Sequence, residues 1–233
     1  MIHRVWEGAR SSRLLETVVI ATPDTIIAEH TRSFGASVVL TPDPFPSGSD
    51  RVAWVARHHF PRADIIVNIQ GDEPLITGDL IDQLVTALRS TPGADVATLI
   101  EPIDATEAVA DPSIVKVVHN RGGYALYFSR APIPYTRTPL EKPYYYKHIG
   151  IYAFRASILQ EFVTLPPSPL ERIEGLEQLR LLENGKTILC IETSHPLIGV
   201  DTPEDADRVR QLLRQHQRPS EEPLSPDEKP PQT

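Results

Sequence analysis

The stretch DIIVNIQGDEPLI, Asp64 to Ile76, decides the fold. Ile65 to Ile69 has buried character and runs straight into Gln70, Gly71 and two adjacent carboxylates, Asp72 and Glu73. A short apolar run of this kind reads as a strand of a parallel sheet, covered on both faces. In open parallel sheets ligands bind in the crevice beyond the carboxyl ends of the strands. A carboxylate there can hold Mg²⁺, which takes oxygen ligands from one or two acidic side chains plus phosphates and water. Gly71 lets backbone and ligand approach closely. The competing reading is that Asp72 and Glu73 cap a helix beginning near Thr77, since acidic residues favour helix starts.

The same grammar extends in both directions. Residues 1 to 13 read as a helix on the spacing of Ile2, Val5, Trp6 and Ala9, weakened by Gly8. TVVIAT (17 to 22) is a buried strand, Pro23 and Asp24 open a helix that Gly35 closes, and ASVVLT comes after it as the next strand, which makes a βαβ unit. TPDPFPSGSDR is a loop, with Ser49 or Asp50 as the cap of a helix from Arg51 to His59. After the opening stretch come a helix from Thr77 to Arg89 and the strand DVATLIE. Beyond Asp111, VKVVHN and YALYFSR flank an RGG turn as a hairpin, and HIGIYAFR is a further strand. SPLERIEGLEQLRLLE (168 to 183) reads as one helix, capped by Ser168 with Glu171 three residues on, then the strand TILCIET and a last helix from about Pro203. The fold class is therefore α/β, a mostly parallel sheet with helices on both faces. Residues 1–217 are expected to form a single domain, and the Pro-rich, charged 218–233 a disordered tail.

Composition narrows the function. In 233 residues a single Cys, Cys190, excludes a disulfide framework and points to a reducing, cytoplasmic setting. No apolar run nears the roughly 18 to 20 residues that span a bilayer, so no membrane role is expected. A net charge of −8 argues against nucleic acid as a partner. An anionic ligand then needs local cations or a metal.

Position supplies further candidates. GVDTPED places Asp201 after a short apolar segment and before a helix, as a second strand-end carboxylate, unless the segment serves only as a cap, by Asp201 or by Thr202. SGSDR presents small residues and Arg51 at a helix N-terminus, suited to an anion or simply a surface turn. Arg130 comes after an apolar strand and Lys116 lies inside one, so each wants a partner, from an internal salt bridge or from a substrate. His148 and Tyr152 share one strand face, as substrate contacts or as the solvated side. Glu171, Glu174 and Gln178 form a polar helical stripe, solvated or aimed at a ligand. The aromatic-rich Tyr135 to Lys147 is a dimer arm or a surface excursion.

Taken together, SGSDR, VNIQGDEP, VKVV, GYALYFSRAPIP, HIGIYAFR, SPLERIEGLEQLRLLENG and GVDTPEDADRVR resemble, in order and across most of residues 1 to 214, the 3-deoxy-manno-octulosonate (Kdo) cytidylyltransferases. The resemblance implies a nucleotide-diphospho-sugar transferase-like (Rossmann-like) fold. It implies transfer of CMP from CTP to Kdo with release of pyrophosphate, using Mg²⁺, in a cytoplasmic homodimer that serves lipopolysaccharide biosynthesis. Carried onto this chain, Asp72 and Asp201 become the catalytic metal ligands, and Ser49, Arg51 and Gln70 nucleotide contacts. Arg130, His148, Tyr152, Glu174 and Gln178 become the sugar contacts, with Arg130 facing the carboxylate. Two rival functions are another acidic-sugar cytidylyltransferase and a non-catalytic sugar-binding or assembly relative.

The departure lies at the start. The family opens with a strand and a basic, small-residue loop that grips the CTP phosphates, whereas MIHRVWEGARSS resembles the helix next in order. The expectation is a sheet lacking one central strand, with its neighbours short of a partner. A start at an internal Met of a longer protein, an inactive relative, or a phosphate grip supplied otherwise each fit that pattern.

Overall fold

The computed structural model describes residues 1–42, 44–103, 106–138 and 145–216. The expected tail from 218, and residues 139–144 of the candidate dimer arm, lie outside them. The chain begins with α1 (Ile2–Arg10), β1 (Val19–Thr22), α2 (Thr25–Ser33) and β2 (Ser37–Leu40). Asp24 caps α2 by accepting the Ile26 and Ile27 amides. β1 and β2 pair in parallel, so the βαβ unit stands as read. Next come α3 (Gly48–His59), β3 (Ile65–Asn68), α4 (Gly78–Ser90), β4 (Val96–Pro102) and the short α5 (Thr106–Ala110). The hairpin β5 (Lys116–His119) and β6 (Ala125–Ser129) leads to the long β7 (Tyr146–Arg155) and α6 (Ala156–Phe162). The chain continues through α7 (Pro169–Glu174), α8 (Gln178–Glu183), β8 (Ile188–Glu192) and α9 (Pro203–His216). No helix among the described residues is long and apolar enough to cross a membrane.

The main sheet runs β6-β5-β7-β4-β8, with β3 also on β7. β3 and β4 both oppose β7, and β8 is parallel to β4, so β3, β4 and β8 share one direction. The expectation of a mostly parallel sheet is corrected by the pairing: among the described residues of this sheet β4–β8 is parallel, whereas β3–β7, β4–β7, β5–β6 and β5–β7 are antiparallel. The reason is that β7 is inserted antiparallel between β3 and β4.

Side-chain alternation divides the core in two. On one face Leu99 of β4 and Ile149, Ile151 and Ala153 of β7 pack with α1, α4 and α9. On the other, Val96, Ile100, Tyr152 and Phe154 pack with α3, α6 and α8. The predicted single helix over 168–183 is instead two, since Gly175 adopts φ 65° and closes α7. A left-handed residue ends a helix and redirects the chain beyond it.

Two glycines set how α1 meets the start of α4. A Cβ on Gly8 would lie 2.1 Å from the Ile76 carbonyl oxygen, and one on Gly78 would lie 2.2 Å from the Ser11 and Ser12 backbone. The glycine that weakens α1 as a sequence signal is thus where the helix touches its neighbour.

β1–β2 forms a sheet of its own, and β3 pairs only with β7 among the described residues. The free edges of β1 and β3 border one cavity of about 480 Å³, lined by Ile20 and Val67 from the strands, Val5 and Trp6 from α1, and Val52 and Val55 from α3. α1 and α3 belong to opposite faces of the core. The cavity therefore lies within the sheet layer, covered by helices on both faces, and both flanking strands are short of a partner, as the sequence led one to expect.

Candidate active site

The strand-end turn after β3 carries Gln70, Gly71, Asp72 and Glu73. Thr77 caps α4, accepting the Leu80 amide at 3.4 Å, so neither carboxylate serves that purpose. Thr202 and Asp205 cap α9 reciprocally: the Thr202 amide and hydroxyl donate to Asp205 at 3.1 and 2.7 Å, and the Asp205 amide donates back at 3.2 Å. Asp201 is left exposed and free of capping. The caps are thus made by Thr77 and, as one of the two capping readings had it, by Thr202.

The two acidic segments are stitched together by the Val200 amide, which donates to the Asp72 carbonyl at 2.9 Å. Asp72 Oδ1 and Glu73 Oε2 are buried without a hydrogen-bond partner. Glu73 is pushed up to about 7, first by burial and then by Asp72, with Asp201 adding to the push and Lys147 opposing it. Lys147 donates to the Leu197 carbonyl at 2.6 Å and lies 3.6 Å from Glu101, anchoring the segment that leads to Asp201. Orphaned carboxylate oxygens in a mutually repelling group are what a divalent cation relieves. Among the described residues no three His, Cys, Asp or Glu side chains form a protein-only metal cage. That donor set suits Mg²⁺, which completes its shell with phosphate and water.

The SGSDR loop differs from its sequence reading. Ser47, rather than Ser49 or Asp50, caps α3, accepting the Asp50 amide at 3.2 Å. Ser49 is wholly buried: its hydroxyl donates to Glu177 Oε1 at 2.6 Å and accepts from Asn68 Nδ2 at 3.3 Å. Its side chain is thus committed inside the protein, while Gly48, Arg51 and Gln70 line the cavity between β1 and β3. Gln70 lies against Gly48, where an added Cβ would sit 3.2 Å from its Nε2, so the loop and the strand end meet. The Arg51 guanidinium lies 5.7 Å from the Phe45 ring.

On β7, His148 and Tyr152 share a face with ring centroids 5.4 Å apart, and both are buried rather than solvated. Thr98 Oγ1 lies 2.8 Å from the Ile151 carbonyl and 3.1 Å from His148 Nε2. The single hydroxyl proton goes to a carbonyl, so the histidine contact requires the proton on Nε2. Burial drives His148 down to about 3, making it a neutral donor. Tyr152 is raised well above its usual value, by burial and then by Glu177.

The polar stripe is dispersed by the break at Gly175. Glu171 accepts the Ser168 amide at 2.9 Å and pairs with Arg180. Gln178 is buried at the start of α8. Glu174 accepts from Ser129 Oγ at 2.7 Å and the Arg130 amide at 3.0 Å, and its carbonyl accepts Arg130 Nε at 2.9 Å. Arg130 Nη1 donates to the Pro112 carbonyl at 3.0 Å. In place of the salt-bridge reading, both Arg130 and Lys116 spend donors on main-chain carbonyls.

Three groups result: Asp72, Glu73 and Asp201; Ser49 with Asn68 and Glu177, reaching Tyr152 and His148; and Arg130 with Glu174. Sequence reasoning missed Glu177, Asn68 and Lys147. Gly175 was the available signal for Glu177, because a break there turns the next residues away from the 171, 174, 178 stripe.

The sequence model of the cytidylyltransferase family matches residues 1–188. The 3-deoxy-manno-octulosonate cytidylyltransferase of Chloroherpeton thalassium is 45% identical over 215 residues, covering 91% of this chain and 87% of that protein. The enzyme of the same name from Pseudomonas syringae pv. tomato is 50% identical over 224 residues, with 91% and 87% covered. Among solved structures, a CMP:2-keto-3-deoxy-manno-octonic acid synthetase complexed with CTP superposes with TM-score 0.86 at 42% identity, covering 92% of this chain and 88% of that one. A cytidylyltransferase from Leptospira borgpetersenii, at TM-score 0.58 and 16% identity over 92% of this chain and 75% of its own, shares the fold. On identity and coverage of this extent, the chain belongs to the 3-deoxy-manno-octulosonate cytidylyltransferase family.

Proposed function

We propose that the chain is a nucleotidyltransferase that activates Kdo with CTP, giving CMP-Kdo and pyrophosphate for lipopolysaccharide biosynthesis, in the cytoplasm and with Mg²⁺. The anomeric hydroxyl of Kdo attacks the α-phosphorus of CTP, the bond to pyrophosphate breaks, and the hydroxyl proton is released. What carries the reading is the buried, unpartnered pair of oxygens on Asp72 and Glu73 beside Asp201 at the end of β3. Mg²⁺ would be held by Asp72 and Asp201 and would supply positive charge to the triphosphate.

The chain's own residues do the rest. Asp72 and Asp201 fix where the triphosphate lies, on segments tied by the Val200 amide. Arg51 and Gln70 meet the nucleotide from the cavity side. His148, its one proton committed to Thr98 Oγ1, offers Nδ1 as an acceptor to a sugar hydroxyl, Gln178 and Tyr152 bound the sugar, and Arg130 takes its carboxylate through a charge-assisted hydrogen bond. Glu174 enters this scheme by holding Arg130 rather than by touching the sugar. Leu126 on β6, Tyr135 and Ile173 are exposed large apolar side chains of the kind that a second copy in a homodimer would cover.

Pyrophosphate release with CTP, Mg²⁺ and a panel of acidic sugars tests the assignment. Kdo is expected to support the highest kcat/KM. Preference for another 2-keto acid sugar would transfer the assignment to that sugar, and release with none of them would remove it.

A further inference from the structure

Lys116 on β5 has no exposed surface at all. Burying an ammonium costs far more than burying a methionine of similar length, so a lysine here needs a compensating role. Its Nζ donates to the Arg130 carbonyl at 2.5 Å and to the Asp111 carbonyl at 2.8 Å. These are the two segments that Arg130 itself joins, since its Nη1 reaches the carbonyl of Pro112, next to Asp111.

Arg130 is consequently held from every side but one. Its amide donates to Glu174 Oε2, its carbonyl accepts Lys116, and its Nε and Nη1 are occupied by the carbonyls of Glu174 and Pro112. Nη2 has no hydrogen bond among the described residues and is the end of the fork left for a ligand. Without Lys116, two carbonyls lose a buried donor, and the turn at 111–112 and the end of β6 lose the bond between them.

We propose that Lys116 is a positioning residue for the acidic sugar: by locking the Asp111–Pro112 turn to the Arg130 main chain, it aims the Arg130 guanidinium at the sugar carboxylate. This rests on the proposed contact between Arg130 and that carboxylate. Lys116 touches no substrate and acts only through Arg130.

A double-mutant cycle on the full chain tests it, with Kdo and CTP affinities measured separately by titration calorimetry. Lys116→Met is expected to weaken Kdo about tenfold, the order of a lost charged hydrogen bond, with CTP within about twofold of wild type. Arg130→Lys is expected to weaken Kdo at least as much, and the double variant no more than Arg130→Lys alone, because residues acting as one unit are not additive. Additive losses, parallel losses of CTP and Kdo, or wild-type Kdo affinity in Lys116→Met would overturn the role. If Lys116→Met does not fold, Lys116→Gln takes its place in the cycle, with a smaller loss still confined to Kdo, and wild-type Kdo affinity again overturns it. A wild-type protein that binds CTP but no Kdo overturns the functional reading itself, whereas one that binds both and is matched by the variants overturns Lys116 alone.

Discussion

At the scale of the residue, what a polar side chain does here is decided by what its neighbours have already done. Asp72 and Asp201 were legible as strand-end carboxylates, but their competing role as caps was not resolvable in sequence, where Thr77, Thr202 and Asp205 are equally competent. The threonines and Asp205 take the caps and leave the aspartates for a ligand. Ser49 shows the reverse: a loop serine in a promising motif is consumed by Glu177 and Asn68, partners that no local spacing announces. His148 carries a pH signature. Its ordinary value near 6.5 falls to about 3 on folding through burial, so the unfolded chain takes up the proton first. The stability this neutral histidine allows is present above about pH 6.5 and is lost as pH falls toward 3, at up to about 1.4 kcal/mol per pH unit. His148→Gln lacks that titration, so urea unfolding between pH 6 and 4 should show the variant gaining on wild type by about that slope. Glu73, raised to about 7, pulls the other way but equally in both proteins. Parallel curves would contradict a buried neutral His148.

At the scale of the element, strand and helix identities were readable and their neighbours were not. The βαβ unit of β1, α2 and β2 emerges from its punctuation, with Asp24 and Gly35 at the ends of the helix. The antiparallel insertion of β7 does not, because HIGIYAFR and DIIVNIQ are both apolar runs and periodicity carries no direction. The division of 168–183 at Gly175 was signalled by a glycine but outweighed by continuous helical spacing. Gly8 and Gly78 belong to this scale, since each is the point where α1 and the start of α4 meet main chain to main chain. Gly78→Ala should cost about 1 to 3 kcal/mol as overpacking against backbone that cannot swing aside. Gly150→Ala, whose new Cβ would meet nothing within 4 Å, should stay within about 0.5 kcal/mol of wild type. Denaturant midpoints for the two variants check the contrast, and equal losses would mean that the helices are not held by this contact.

At the scale of the whole molecule, the candidate site exists only because the sheet brings distant segments to one end. Asp72 leaves β3, Asp201 precedes α9, and the Val200 to Asp72 hydrogen bond joins them across the fold. Sequence order can name such residues but contains no distance between them. The cavity between the edges of β1 and β3 is lined at this same end by Gln70, Gly71 and Arg51, so the layer where two strands lack a partner adjoins the proposed nucleotide pocket. The central claim is that these two aspartates hold, as one unit, the cation on which CMP transfer depends. It is tested most directly by pyrophosphate release from CTP and Kdo, titrated with Mg²⁺, for wild type, Asp72→Asn and Asp201→Asn. Each substitution should lower kcat by at least about 100-fold, more than losing a residue behind a metal ligand costs, while the unfolding midpoint stays at or above that of wild type. Wild-type turnover in either variant at saturating Mg²⁺ would contradict the account.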